Sequence, residues 1–184
     1  MMETIDVAIV GAGPCGLATA IALSSAMPHL KIKVFERART LRPIGAGVTL
    51  AGNGVEVLEA ISPLAHANLM AHSSPLIGME MRDHRDAVLR RTEVASMMAT
   101  MKWREGEKPL PDICHIPWYR LQEVLRASLP DGGTSTLVLG KGVTGVREES
   151  DQCDAARTWV TLSFEDGSSV RARVVVGADG ADSA

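Results

Sequence analysis

The sequence has few cysteines, no long run of positive charge and no metal-ligand spacing. Its three cysteines, Cys15, Cys114 and Cys153, are too few and too widely spaced for a disulfide scaffold or a zinc site. This pattern favours a reducing, cytoplasmic compartment and buried, unreactive thiols. The charges are interspersed and the formal net charge is -3, so nothing favours a nucleic-acid partner. The five histidines show no metal-ligand spacing, and we expect no metal site.

The chain also lacks a convincing membrane span or signal peptide, although residues 5–27 are rich in small and apolar side chains. Glu3 and Asp6 supply negative charge where a signal peptide needs positive charge, and glycines interrupt the apolar run. With 46% hydrophobic and 22% charged residues, the composition is that of a globular protein with a real core.

What is present begins with a strand, a helix and a second strand. The β-branched segment Ile5–Val10 predicts a buried strand, and Pro14 suits the first turn of a following helix. Ile32–Phe35 predicts the next strand, which ends at Glu36. This unit has the length that a right-handed parallel crossover needs, so the sequence predicts an α/β fold with a parallel sheet.

The rest of the chain alternates helical and extended patterns. We expect a loop over Arg39–Gly54, a helix from Val55 that Pro63 kinks, a hairpin of Met79–Arg82 with Ala87–Arg91, irregular structure over Glu93–Asp112, and a helix over Trp118–Leu129. Four alternating segments then predict an antiparallel β-meander: Thr136–Leu139, Val143–Glu148, Thr158–Phe164 and Ser169–Val176. The continuous apolar run at the end of the last segment is typical of a strand covered on both faces.

A glycine-rich motif connects the first strand to the first helix. In Gly11-Ala12-Gly13-Pro14-Cys15-Gly16, the first glycine permits a tight turn and the second lets the backbone approach a pyrophosphate. The third allows the helix to pack closely. The N–H groups at the start of the helix then favour a phosphate. The motif predicts a dinucleotide site, although such glycines can also form a simple turn.

Glu36 stands at the end of the second strand, where a carboxylate can accept hydrogen bonds from an adenosine ribose. It would repel a 2′-phosphate, so the nucleotide held here should be FAD or NAD and not NADP. Arg37 beside it either covers the adenine or is simply solvated. The residues alone do not separate FAD from NAD.

An ordered set of motifs resembles the flavoprotein aromatic hydroxylases, the group of para-hydroxybenzoate hydroxylase and salicylate hydroxylase. The resemblance covers essentially the whole chain. Its motifs are the glycine loop, Glu36-Arg37, Arg42–Leu50 with Asn53, Tyr119-Arg120 opening a helix, and Gly177–Ser183.

The resemblance implies a Rossmann-like FAD-binding fold and an FAD site. Its residues would be Gly11, Ala12, Gly13, Gly16, Glu36, Arg37, Gly45, Ala46, Gly47, Val48, Arg120, Asp179 and Gly180. In the family the loop around Gly45 passes close to the flavin, an arginine at the position matched to Arg120 reaches toward FAD, and the turn around Asp179 helps to bind the pyrophosphate.

The resemblance also implies an FAD-dependent monooxygenase that uses NAD(P)H to hydroxylate or epoxidise a small organic or aromatic molecule, often in secondary metabolism. Residues 1–184 would form an FAD-binding domain that is C-terminally truncated relative to the family, with residues 76–116 beginning the substrate-domain portion. No catalytic residue can be assigned. Apolar surface near the last strand would then be exposed or covered by a partner chain.

Two alternatives stay open at this point. The chain could be a non-catalytic remnant or nucleotide-binding module, which the missing C-terminal half favours. It could also be an NAD-dependent dehydrogenase, which would share the glycine loop and Glu36. That class gives no reason for the loop over Gly45–Leu50 or for the turn over Gly177–Gly180.

Overall fold

The computed structural model describes residues 2–100, 113–130, 135–150 and 158–180. The helices are α1 Pro14–Ala26, α2 Gly52–Ile61, α3 Pro63–His72, α4 Val94–Thr100 and α5 Trp118–Ala127. The strands are β1 Glu3–Val10, β2 Ile32–Glu36, β3 Gly47–Leu50, β4 Ser74–Pro75, β5 Gly78–Arg82, β6 Val88–Glu93, β7 Cys114–Pro117, β8 Ser135–Leu139, β9 Val143–Ser150, β10 Thr158–Phe164 and β11 Ser169–Gly177.

A six-stranded sheet carries the site, in the order β8-β2-β1-β11-β10-β9. Strands β8, β2, β1 and β11 pair in parallel, and β10 pairs antiparallel with both β11 and β9. Residue Val7 of β1 pairs with Ile32 on one side and with Val174 on the other. The predicted α/β fold, with a parallel sheet and an antiparallel meander, is confirmed.

Two groups of buried side chains hold the layers together. The larger joins β1 and β2 to α1, α2, α3 and α5, with Ile9, Leu17, Ile32 and Leu69 each at most 1% exposed. The smaller joins β1 and β2 to the meander. There the rings of Phe35 and Phe164 meet with centroids 4.8 Å apart. Burial of apolar surface is the main favourable term in such packing.

The assignment of Thr136–Leu139 to the meander is wrong. This segment forms β8, which pairs in parallel with β2 at the far edge of the sheet, Val34 opposite Leu137. The meander therefore has three strands and not four. An alternating pattern predicts a strand but does not say which neighbour it pairs with, because the pattern reports only which face is buried.

The predicted kink at Pro63 is also wrong, because Pro63 begins a second helix. Ser62 ends α2 and caps α3, and its Oγ accepts a hydrogen bond from the Ala65 N–H at 3.2 Å. Proline is well suited to this first helical position, since its missing N–H would be unpaired there.

Several smaller expectations have clear outcomes. The predicted hairpin forms as β5 and β6, with Glu80 opposite Arg91. Residues 94–100 are helical and not irregular, whereas 101–112 lie outside the described residues. Cys15 is exposed, contrary to the expectation of buried thiols, while Cys114 is buried; Cys153 lies outside the described residues.

Among the helices of the described ranges, none is long and apolar enough to cross a membrane.

Replacing the cap of α3 tests this reading of the Ser62–Pro63 junction. Ser62→Ala removes the acceptor of the Ala65 N–H and should lower the free energy of unfolding by about 1 kcal/mol. Urea denaturation followed by circular dichroism measures the change. Ser25→Ala, at an exposed position in α1, serves as the control and should be neutral within about 0.5 kcal/mol. Equal losses in the two variants would contradict the capping role.

Candidate functional site

The carboxyl ends of three parallel strands bring the predicted motifs together. Val10 of β1 pairs with Gly177 of β11, and the Ala178 N–H donates to the Val10 carbonyl at 2.8 Å. The Gly11 N–H donates to the Phe35 carbonyl of β2 at 2.7 Å. The glycine loop, the end of β2 and the turn after β11 therefore lie at one edge of the sheet. Open α/β sheets bind ligands at this edge.

Close packing explains two of the loop glycines. Gly11 has φ 103°, and a Cβ there would overlap the Ala178 carbonyl. A Cβ on Gly16 would overlap the carbonyl oxygen of Gly11, so α1 packs directly on the loop. These two positions need glycine for the fold itself, whatever the loop binds.

Gly13 differs from its neighbours because a Cβ there would meet no protein atom within 4 Å. Its φ of -70° is open to any residue, so neither packing nor backbone strain requires glycine at this position. Gly13 is also the N-cap of α1, and within the described residues no side chain caps that helix. The exposed N–H groups and the helix dipole make this position suited to a phosphate.

Glu36 connects the loop to the end of β2. One carboxylate oxygen accepts the Ala12 N–H at 2.9 Å, and the other accepts the Ala38 N–H at 2.8 Å. A carboxylate offers about four acceptor positions, so two remain for the hydroxyls of a ribose. Glu36 thus fixes the loop and can still bind a sugar.

Two adjoining clefts open around these groups. The first, which we call the glycine-loop cleft, has a volume of about 450 Å³ and is lined by the first turn of α1, the segment after β2 and the turn after β11. The second has a volume of about 360 Å³ and lies toward β9 and β11. Both clefts are lined by the same four residues of the predicted site: Gly11, Glu36, Arg37 and Asp179.

Charged side chains of both signs line the second cleft: Arg37 and Lys141 with Glu36, Glu165 and Asp179. Lys141 lines it and donates to the Asp166 carboxylate and to the Ser168 hydroxyl, at 2.7 Å for the latter. The hydrogen bond from Lys141, with further bonds from Ser168, holds the pKa of Asp166 well below its usual range. Since Asp166 stays ionised across neutral pH, it partly neutralises Lys141 at this border.

Helix α5 contributes two residues that sequence reasoning missed. Gln122 is only 5% exposed, and its Nε2 donates to the Ala12 carbonyl at 2.7 Å. Trp118 lines the glycine-loop cleft together with Gln122. Their spacing of four residues on an amphipathic helix was the available signal, since such residues share one helix face.

Five other predicted residues do not line the glycine-loop cleft: Arg120, Gly45, Ala46, Gly47 and Val48. Arg120 is exposed and pairs with Glu123 at 2.8 Å. In the loop before β3, Gly45 lies against Trp118, and Ala46 accepts the Trp118 N–H at 2.9 Å. A Cβ on Gly47 would overlap the His115 ring, and Val48 pairs with Ile116. Of the last motif, Gly180 lines the cleft, and residues 181–184 lie outside the described residues.

The residues present therefore fit a dinucleotide. The absence of a side chain at Gly13 leaves room for a phosphate beside the uncapped start of α1. The carboxylate of Glu36 lies across the loop from that helix start. Fold and site together define a Rossmann-like nucleotide-binding protein.

Comparison with known proteins specifies the family. The family described as FAD binding domain matches residues 4–184, and the chain belongs to it. The chain is 32% identical over 192 residues to 3-amino-4-hydroxybenzoate 2-monooxygenase of Streptomyces cremeus, covering 97% of this chain. It is 29% identical over 177 residues to the FAD-dependent urate hydroxylase of Klebsiella pneumoniae subsp. pneumoniae, covering 96% of this chain. It spans about 40% of the length of each relative.

Solved structures agree with the fold. The p-nitrophenol 4-monooxygenase PnpA of Pseudomonas putida DLL-E4 superposes with a TM-score of 0.77 at 21% identity, covering 99% of this chain and 42% of that one. The flavin-dependent monooxygenase PieE, solved with FAD and substrate, superposes with a TM-score of 0.74 at 21% identity. The match covers 98% of this chain and 31% of that one. At this level of identity the likeness establishes the fold alone.

Removing the side chain that holds the loop carbonyl should destabilise the protein. Gln122→Leu leaves the buried Ala12 carbonyl without this donor, and we expect a loss of about 1–3 kcal/mol in the free energy of unfolding, measured by urea denaturation. Glu123→Gln, an exposed neighbour on the same helix, is the matched control and should change little. A Gln122→Leu variant as stable as the control would show that this bond does not hold the loop.

Proposed function

We propose that this chain is the FAD-binding portion of an FAD-dependent monooxygenase that hydroxylates or epoxidises a small organic or aromatic molecule with NAD(P)H as co-substrate, in secondary metabolism. One observation carries the proposal. The glycine loop, Glu36 and the turn at Asp179 all line the glycine-loop cleft, at the carboxyl edge of the parallel sheet. The family match supports FAD as the dinucleotide, and the named relatives support oxygen-inserting chemistry.

The proposed contacts follow from the chemistry of each group. The backbone at Gly11 and Gly13 and the start of α1 would hold the diphosphate, Glu36 would bind the adenosine ribose, and Arg37 would lie against the adenosine end. When bound, FAD supplies the redox chemistry of the reaction. The residues of this chain bind the cofactor, orient it and shield it from water.

Apart from Arg120, which pairs with Glu123 and does not line the cleft, the remaining predicted contacts also belong to the proposed site. Ala12 and Gly16 shape the loop through the bonds and packing described above, and Asp179 and Gly180 border the cleft from the β11 side. Gly45 and Ala46 contact Trp118, and the segment Gly45–Val48 would approach the flavin end of the cofactor.

We further propose that residues 76–116 begin the substrate-binding portion. The β5–β6 hairpin is a separate two-stranded sheet, and Ile77, Met81 and Leu89 are 82%, 61% and 63% exposed. An isolated hairpin is marginal in water, and clustered exposed apolar side chains typically mark a surface that another part of a protein covers. Val174 of β11, 52% exposed, supports further covering structure or a partner chain on that side.

The two alternatives are weighed by different observations. A non-catalytic nucleotide-binding remnant would have the same glycine loop and Glu36 at the cleft, so the reduction of bound flavin is what separates it from the enzyme. An NAD-dependent dehydrogenase is disfavoured by the match to an FAD binding domain family over residues 4–184.

A pair of glycine variants tests the cofactor site. Gly13→Val places a side chain where the free protein has open space, so it should fold normally and bind FAD at least about tenfold more weakly. Gly11→Ala, in contrast, should reduce thermal stability because of its positive φ and the Ala178 carbonyl. Isothermal titration with FAD and thermal melts measure the two effects. A Gly13→Val variant with wild-type FAD affinity would contradict the site.

Flavin reduction separates the proposed enzyme from its alternatives. The purified chain is saturated with FAD, and its visible absorption is followed without oxygen after addition of NADH or NADPH. Bleaching, with recovery on admitting air, supports the monooxygenase. Bound flavin that stays oxidised supports a binding module, and NAD affinity without flavin affinity supports a dehydrogenase.

A further inference from the structure

We propose that Trp118, and not Arg120, is the residue of α5 that contacts the bound cofactor. Its indole ring would form one wall of the glycine-loop cleft, with the ring N–H donating to an oxygen of the diphosphate–ribityl part of FAD. This inference rests on the proposed FAD binding and specifies which side chain completes the site.

Helix geometry separates the two candidates. Trp118 and Gln122 are four residues apart, share one face of α5, and both line the cleft. Arg120 lies two residues beyond Trp118, which turns its side chain by about 200° around the helix axis. Its guanidinium pairs with Glu123 three residues later, on that other face, at 2.8 Å. A residue at position 120 therefore points away from the wall that Trp118 and Gln122 form.

The backbone around Trp118 holds it at the cleft. Its N–H donates to the Ala46 carbonyl at 2.9 Å, which fixes the start of α5 against the loop before β3. Gly45, with φ 109°, lies so close that a Cβ there would be 3.1 Å from the Trp118 Cβ. Gly45 thus makes room for Trp118, whereas the sequence pattern alone attributes the small residues of this loop to the approach of the flavin.

The indole has a donor available for the ligand. Within the described part of the chain, the structure gives the Trp118 ring N–H no hydrogen bond to protein, whereas the Gln122 amide on the same face is used to hold Ala12. Buried or partly buried indole N–H groups usually find a partner, and a cofactor oxygen in the cleft would provide one. Arg37 and Arg42 also line the glycine-loop cleft, and they supply the positive charge there that Arg120 does not.

Indole N–H resonances give a direct test, because the chain has only three tryptophans: Trp103, Trp118 and Trp159. In a two-dimensional ¹H–¹⁵N spectrum each contributes one indole signal, assigned by Trp→Phe replacement. Saturating FAD should move the Trp118 signal downfield as the N–H enters a hydrogen bond. The Trp159 signal should stay in place, since this ring lies against Arg173 on the meander, 5.5 Å from its guanidinium carbon.

Affinities measured by titration complete the test. We expect Trp118→Ala to weaken FAD binding by at least about tenfold, and Trp118→Phe, which keeps the aromatic wall, to recover most of that loss. Arg120→Ala, the matched control on the same helix, should stay within about twofold of the parent protein.

Failure of this inference is distinguishable from failure of the proposed function. If the parent protein binds FAD but Arg120→Ala costs tenfold while Trp118→Ala costs less than twofold, Arg120 is the contact and the inference is overturned. An unmoved Trp118 signal at saturating FAD overturns it as well. If the parent protein binds no FAD, the proposed function fails and this inference fails with it.

Discussion

The parallel pairing of β1 with β11 is the constraint on which the site depends. It joins residues from opposite ends of the chain, Val10 beside Gly177, and it brings two turns into contact at Gly11 and Ala178. Neither turn forms a cleft alone. Their contact creates a rim of backbone groups, and Glu36 then fixes that rim through the amide of Ala12. The dinucleotide site is therefore a property of strand order more than of any single motif.

Local chemistry made part of this structure predictable. The glycine loop stands between a β-branched strand and an apolar helix, and each of these signals involves neighbours in sequence. The hairpin over β5 and β6 was predictable for the same reason. The partner of β8 was not, because alternation along Thr136–Leu139 is equally compatible with an antiparallel neighbour and with the parallel partner Val34 that the structure gives.

The residues of α5 show a second limit. Motif matching selects a side chain by its chemistry, and a guanidinium at Arg120 looks suited to a phosphate. Which side of the helix faces the cleft is decided by tertiary packing, here the bond from Gln122 to Ala12 and the fit of Trp118 against Gly45. Helical periodicity relates Trp118 to Gln122 but does not say that their face of the helix meets the glycine loop. From the sequence, Trp118 and Gln122 can be placed on one face of α5. That this face, and not the face of Arg120, lines the cleft could not be predicted.

The position of β1 between β2 and β11 has a consequence during synthesis. A ribosome makes β1 and β2 early, whereas the partner of Glu3 on the other edge is Val170, near the end of the described chain. Until that strand emerges, β1 has an unpaired edge, and such edges readily pair with other chains. Nascent polypeptides of this kind fold late and slowly because their contacts are distant in sequence. Chaperone demand and expression yield should therefore depend on how fast translation reaches β11.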